Sequence, residues 1–260
     1  MDKMDEIKTR IKYWSISTKI LYLPNTISTI SDYKQLKIND MKKIVFFLMV
    51  AITTSFLPLT LSAQNGMDHG HRYIDLGLPS GTKWADCNIG AKTRTNYGYY
   101  YAWGETSRKT KYDWDSYKFG SDKLTKYCTD SDYGEDGFTD DKEELDLSDD
   151  VARKLWGGKW RIPSDEQFEE LIEHTKHRWT KINGVKGMLF TGRNGHSIFL
   201  PAAGHRYGTS LYDAGSGANY WSRTLNADSP DYAYCLYFYS DGVYVTHLPQ
   251  LRTHCTARAF

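Results

Sequence analysis

Tyr232-Ala-Tyr-Cys-Leu-Tyr-Phe-Tyr239, then Ser240-Asp-Gly242, then Val243-Tyr-Val-Thr-His247, is the stretch on which the fold turns. Aromatic and aliphatic side chains suit a pleated surface and Ser-Asp-Gly suits a turn, so the run predicts two strands joined by a tight connection. Side chains alternate along a strand. Tyr232, Tyr234, Leu236 and Phe238 are therefore expected on one face, and Ala233, Cys235, Tyr237 and Tyr239 on the other. Leu248 to Cys255 mixes apolar, polar, ring and thiol residues with no period and reads as a loop, before Thr256 to Phe260. Loops held by a rigid framework are where binding usually lives. The residues expected to make contacts are Tyr239, Asp241, Tyr244, Thr246 and His247 around the strands, and Gln250, Leu251, Thr253 and His254 in the loop. They combine the aromatic and polar groups found at binding hot spots.

The chain has 260 residues, the length of one ordinary domain or two small ones. Its 33 Lys and Arg nearly cancel 32 Asp and Glu, so no basic field calls for nucleic acid. Aromatics make up 15%, with 20 Tyr and 8 Trp, a level suited either to a half-wet sheet or to a contact surface.

Met41-Lys-Lys43 is followed by the apolar run Ile44 to Leu61 and then Ser62-Ala-Gln64. Two positive charges, an apolar run and small residues make up a secretory signal peptide over 41–63, with the mature chain starting near Gln64. A transmembrane anchor is the competing reading, but the run holds three Thr, a Ser and a Pro and lacks charge on its far side. Residues 1–40 read as an upstream mis-start with no domain of their own. Residues 64–72 read as a polar linker, and 73–260 as the folded domain. An exported protein that is periplasmic, secreted or on the cell surface is expected, with no membrane span once the signal is removed.

In an exported chain Cys87, Cys128, Cys235 and Cys255 permit disulfides in three pairings, and a Cys235–Cys255 bridge would tie the loop to its strand. Free buried thiols are the alternative, and no CxxC spacing marks a metal site. Asp132, Asp136, Gly137, Asp140 and Glu143 fall at positions 1, 5, 6, 9 and 12 of a calcium-loop pattern, but position 3 is Gly134 and helical flanks are missing. An acidic solvated loop accounts for that spacing, and no cofactor or metal is expected.

Tyr73 to Cys87 reads as two short strands around Pro79-Ser-Gly81, and Tyr97 to Gly104 as an aromatic run passing close under other elements. Glu105 to Leu147 is polar and without period: a long insertion loop ordered by Trp114, Tyr117 and Tyr127. A short helix is expected over 148–156 with Ser148 as N-cap, Asp149 and Asp150 at the positive end of its dipole, and Gly157-Gly158 as its stop. A second opens on a capping box, Ser164 with Gln167, and carries an apolar stripe at Phe168, Leu171 and Ile172. Gly192-Arg-Asn-Gly195 joins a hairpin between Gly187–Phe190 and Ser197–Leu200. The fold class is α+β: two short helices packed on small antiparallel sheets with long irregular loops.

Tyr73-Ile-Asp-Leu-Gly-Leu78, Lys83-Trp-Ala85, Tyr101-Ala-Trp-Gly-Glu105, Asp149-Asp-Val-Ala152, Gly158-Lys-Trp-Arg-Ile-Pro-Ser164, Phe199-Leu-Pro-Ala-Ala-Gly204, Tyr220-Trp-Ser222 and Ala257-Arg258 occur in that order. In these motifs, from about Tyr73 to Phe260, the chain resembles the Fibrobacter succinogenes major paralogous domain family. The resemblance implies an exported bacterial protein with a C-type-lectin-like fold, related in fold to formylglycine-generating enzymes. Some members look like targets of diversity-generating retroelements, whose C-terminal segment is mutated so that the fold displays a changing ligand surface. The mixed composition from Tyr239 to Thr256 is consistent with that.

Three functional classes follow. An enzyme of the formylglycine-generating kind needs a close pair of thiols, and Cys235 and Cys255 are far apart in sequence. His205, His247 and His254 have no nucleophile partner in a motif, and fold likeness does not confer chemistry. A structural subunit of a surface assembly would favour a long exposed edge or a donor strand, for which Gln64 to Arg72 is too polar. The expected function is therefore non-catalytic binding, adhesin- or receptor-like, of a protein or glycan on a cell surface. Trp221, Arg206 and Arg258 are expected to support the frame, the arginines by satisfying buried carbonyls or pairing with a carboxylate such as Asp75.

Overall fold

A computed structural model describes residues 65–249; the expected mis-start and signal segments and the chain from Gln250 onward lie outside the described residues. Within them are eleven strands and two α-helices, arranged as four small antiparallel sheets. The mixed, mostly strand architecture with two short helices agrees with the expected α+β class. No helix among the described residues is long and apolar enough to cross a membrane.

The first sheet joins β1 (Gly66–Asp68), β2 (His71–Asp75) and β3 (Lys83–Ala85). Its opening hairpin corrects the expected linker over 64–72. Those residues are polar, but their partners come from far along the chain: the Trp160 indole donates to the Asp68 carbonyl at 2.9 Å, and the Lys159 amide donates to the Asp68 carboxylate at 3.2 Å. His71 stacks on Trp156 with ring centres 4.2 Å apart. Gly158 permits this approach, because its φ is +56° and a Cβ there would lie 2.2 Å from the His69 ring.

Helix α1 spans Val151–Trp156 and ends at Gly157 as expected, but its N-cap is Asp150, which accepts from the Arg153 amide, in place of Ser148. Asp149 is drawn out of the helix: its side chain, 5% exposed, takes hydrogen bonds from Lys118 (2.8 Å), Lys126 (2.6 Å) and the Tyr127 hydroxyl (2.8 Å). Helix α2 (Asp165–His174) opens on the expected Ser164–Gln167 capping box, buries Phe168 and Leu171, and packs against β9, β10 and β11.

A three-stranded meander follows, β4 (Lys176–Ile182), β5 (Val185–Thr191) and β6 (Ser197–Pro201). The β5–β6 hairpin matches the expected one. The β4–β5 hairpin turns at Asn183-Gly184, whose φ values of +48° and +85° suit a two-residue primed turn. Next come the hairpin β7 (His205–Tyr207) with β8 (Ser210–Tyr212), and the sheet β11-β10-β9, built from β9 (Gly217–Leu225), β10 (Tyr232–Tyr239) and β11 (Val243–Pro249). Leu248 and Pro249, expected to begin a loop, still pair with Ala233 and Tyr232.

The expectation of two chemically distinct faces on β10 also changes. Ala233 and Cys235 are buried on one face, Leu236 and Phe238 on the other, so burial switches sides in mid-strand. The β9 register slips at the same place: Ala233 faces Leu225 but Cys235 faces Trp221. Ser222, Arg223 and Thr224 fall in the slip, and Arg223 there donates to the Pro163 carbonyl through its amide and to Glu144 through its side chain.

Residues 105–147 contain short 3₁₀ turns at Trp114–Ser116 and Glu135–Gly137 and isolated bridges at Tyr112, Leu124 and Glu144, but no strand or α-helix. They are held by rings meeting edge to face: Tyr117 on Phe119 (5.6 Å), Phe119 on Tyr127 (5.2 Å) and Tyr127 on Trp103 (5.1 Å). Within the calcium-like spacing, Asp140 accepts from the Tyr127 and Cys128 amides. Among the described residues no group of three or more His, Cys, Asp or Glu side chains is placed to hold a metal ion. Cys128 and Cys235 are buried, and Cys255 lies outside the described residues.

Burial pushes the Asp149 carboxyl up, but the hydrogen bonds from Lys118, Lys126 and Tyr127 outweigh it and hold the group below its ordinary value of 3.8. A depressed carboxyl adds stability above that value and loses it as pH falls through the folded-state pKa. Asp149→Asn is expected to cost about 2 kcal/mol at pH 7, with the gap closing below pH 3.8; urea unfolding of the two proteins across that range checks it.

Candidate functional site

The β10–β11 ribbon carries five of the nine expected contact residues, and its pleat divides them. Tyr237 pairs with Tyr244 and Cys235 with Thr246, so Tyr237, Tyr239, Tyr244 and Thr246 share one face. Tyr234 pairs with His247, which sets His247 on the opposite face. There its ring meets the edges of Tyr232 at 5.7 Å and Tyr234 at 5.9 Å. Asp241 is exposed in the turn between the strands. Gln250, Leu251, Thr253 and His254 lie outside the described residues. Tyr239, Tyr244 and Thr246 are thus brought together, and His247 is separated from them.

The shared face is an ordered aromatic group. Tyr237 and Tyr239 meet at 5.0 Å with their planes 70° apart. The Tyr239 ring lies over Gly217, its partner on β9, where a Cβ would come within 2.6 Å of the ring. Its hydroxyl donates to Asp213 at 2.9 Å. Burial pushes the Tyr239 phenol up, and its hydrogen bonds with Tyr237 and Asp213 add to that, so it stays a neutral donor at physiological pH. Tyr244, across the ribbon on the sheet's outer strand, is 58% exposed.

Asp213 extends the group to the β7–β8 hairpin. The same carboxylate oxygen that accepts from Tyr239 lies 3.4 Å from His205 Nδ1, and the His205 ring stacks on Tyr212 at 5.5 Å. Burial pulls the His205 ring's pKa down while the Asp213 charge opposes it. Tyr207, Leu211 and Tyr212 on this hairpin are all at least 40% exposed. The structure therefore adds Tyr237, Asp213, His205 and Tyr212 to the surface. The sequence offered the alternation of β10 for Tyr237, but nothing local joins the hairpin to a strand some thirty residues on.

Chemically the arrangement offers π-faces, a fixed phenol, an imidazole and a carboxylate, a set suited to stacking and hydrogen bonding. The supporting roles expected for Trp221 and Arg206 agree in part with their positions. Trp221 is buried and donates to the Tyr101 carbonyl at 3.3 Å. Arg206 donates to the Thr209 carbonyl at 3.3 Å and lies over Tyr100, and has no pairing with Asp75 among the described residues. Arg258 lies outside them. Comparison of the chain with family models, with curated proteins and with solved structures gives no match.

Because Asp213 is the charge that opposes the fall of the His205 pKa, Asp213→Asn is expected to lower the His205 midpoint further. A pH titration of the imidazole resonances by NMR reads this directly, and an unchanged midpoint would show that the two groups do not couple.

Proposed function

We propose that this protein is an exported, non-catalytic binding protein with a C-type-lectin-like fold that engages a protein or glycan on a cell surface through the β10–β11 ribbon. One observation carries the reading: exposed Tyr244 stands opposite Tyr237 on the edge of a sheet, while Tyr239 beside them is fixed by Asp213. Rings already held in place lose little freedom when a ligand covers them, so contact area converts efficiently into affinity. An edge position leaves the outer ring open to a partner. The sequence motifs support the family reading, in which retroelement-driven mutation would vary this ribbon while Trp221 beneath it stays fixed.

Arrays of glycans and of surface proteins, probed with the intact chain and with Tyr244→Ala, test the binding role. The variant is expected to lose at least about tenfold in affinity, a hot-spot-sized effect, with an unchanged melting temperature because the ring is exposed. Equal affinity of Tyr244→Ala and of Tyr237→Ala with the parent protein would sink it. Sequencing codons 220–260 across a bacterial population tests diversification. Substitutions concentrated from Tyr239 to Thr256 are expected, and an evenly quiet segment would leave a binder with one fixed partner.

A further inference from the structure

A cleft of about 780 Å³ opens between the segment around Tyr99 to Tyr112 and the β7–β8 hairpin. That lies within the roughly 300–1,000 Å³ of sites that enclose small ligands. Its two sides are pinned together, since Tyr112 and Gly208 exchange backbone hydrogen bonds at 2.9 and 2.8 Å. The Tyr112 hydroxyl donates to the Tyr100 carbonyl at 2.9 Å, and the Tyr100 hydroxyl to Ala203 at 2.6 Å. The Tyr100 and Tyr112 side chains and the Tyr112–Gly208 backbone are therefore fixed before any ligand arrives.

The charge in the cleft is one-sided. Lys109 is neutralised by Glu105 at 2.8 Å. Arg108 and Arg206 also line the space, and neither has a carboxylate partner among the described residues. Each guanidinium is steadied on a tyrosine ring, Arg108 at 4.1 Å from the centre of Tyr99 and Arg206 at 5.1 Å from that of Tyr100. A guanidinium carries five N–H donors. Arg206 spends one on the Thr209 carbonyl, and Arg108 makes no hydrogen bond among the described residues. Burial raises the Tyr112 phenol's pKa and the charges of both arginines act against that, which is consistent with the two cations acting on the same region.

Two unneutralised forks of donors in one preformed cleft match an oxyanion, which planar guanidinium groups recognise in bidentate fashion. Ser107 and Thr110, both exposed on the cleft wall, supply hydroxyl groups for the neutral polar atoms of such a ligand. We propose that this cleft binds an acidic saccharide, with Arg108 and Arg206 holding a carboxylate or sulfate carried on a sugar ring. Among the described residues none of β10 or β11 lines the cleft, which sets it apart from the ribbon.

Calorimetric titration of the full chain at low salt with digalacturonate, a monosulfated galactose disaccharide and neutral galactobiose tests this. At least one charged sugar is expected to bind at least about tenfold more tightly than the neutral one. A preference for digalacturonate identifies a uronate ligand, and a preference for the sulfated sugar identifies a sulfated one. Arg108→Gln and Arg206→Gln are each expected to lose about tenfold or more. Arg206→Lys should recover only part of that loss, because an ammonium keeps the charge but lacks the fork. Arg108 is exposed, and Gln at 206 retains an amide donor for the Thr209 carbonyl, so circular dichroism should show both variants folded. Tyr244→Ala should bind these sugars like the parent protein, which separates this cleft from the ribbon. Equal binding of the neutral sugar, absence of charged-sugar binding at millimolar concentration, or unchanged affinity in both Gln variants would overturn the proposal.

Discussion

Strand β10 must be covered from both sides at its middle, where consecutive residues Cys235 and Leu236 are both fully buried. On a pleated strand, neighbours point in opposite directions, so this single fact requires a layer on each face. Helix α2 packs across all three strands of the sheet, and Phe238 meets Trp179 of β4 as well as Tyr220 of β9. Each large apolar side chain so enclosed contributes about 1.5–3 kcal/mol relative to exposure. The slip in register against β9 occurs at the same point, and it releases Ser222 to Thr224 to bind the segment before α2 and the end of the long loop. The sheet is thus the hub through which otherwise separate pieces meet.

The long segment from Glu105 to Leu147 shows how a chain without regular structure can still be fixed. Irregular backbone leaves carbonyl groups without ladder partners, and buried ones must be satisfied some other way. Tyr112 and Tyr117 of this segment, and tyrosines packed beside it, do this for carbonyls outside the segment and so tie it to the rest. Tyr100 donates to Ala203, Tyr112 to Tyr100, Tyr117 to Trp103 and Tyr220 to Pro201, each hydroxyl reaching a backbone carbonyl. Their rings meanwhile fill the core. Asp149 completes the anchorage by gathering Lys118, Lys126 and Tyr127 onto one carboxylate. The high tyrosine content thus serves the interior as well as the surface.

The two candidate surfaces share the β7–β8 hairpin: His205 lies beside Asp213, which holds Tyr239, while the next residue, Arg206, lines the arginine cleft. Alternation along a three-residue strand is enough to send one side chain to each. In both places rings are held by hydrogen bonds before a ligand is met, which lowers the entropic cost of binding.

The amino-acid sequence determined the local features: the Ser164–Gln167 capping box, the stop at Gly157, the turn between β10 and β11, the β5–β6 hairpin and the strandedness of Tyr232 to His247. These follow from propensity, capping and period, which act over a few residues. It also marked out Tyr239, Tyr244 and Thr246 among the nine expected contact residues, by their aromatic and polar character. Only the tertiary structure decided the rest. It folded the polar residues 66–72 into the first hairpin, because Trp156, Lys159 and Trp160 reach them across some ninety residues. It moved the N-cap from Ser148 to Asp150 by claiming Asp149 for two lysines and a tyrosine. It turned His247 away from the face of Tyr237, Tyr239 and Tyr244 and left Arg108 and Arg206 without carboxylate partners among the described residues. Pairing and burial depend on which distant segments pack together, and no local pattern records that.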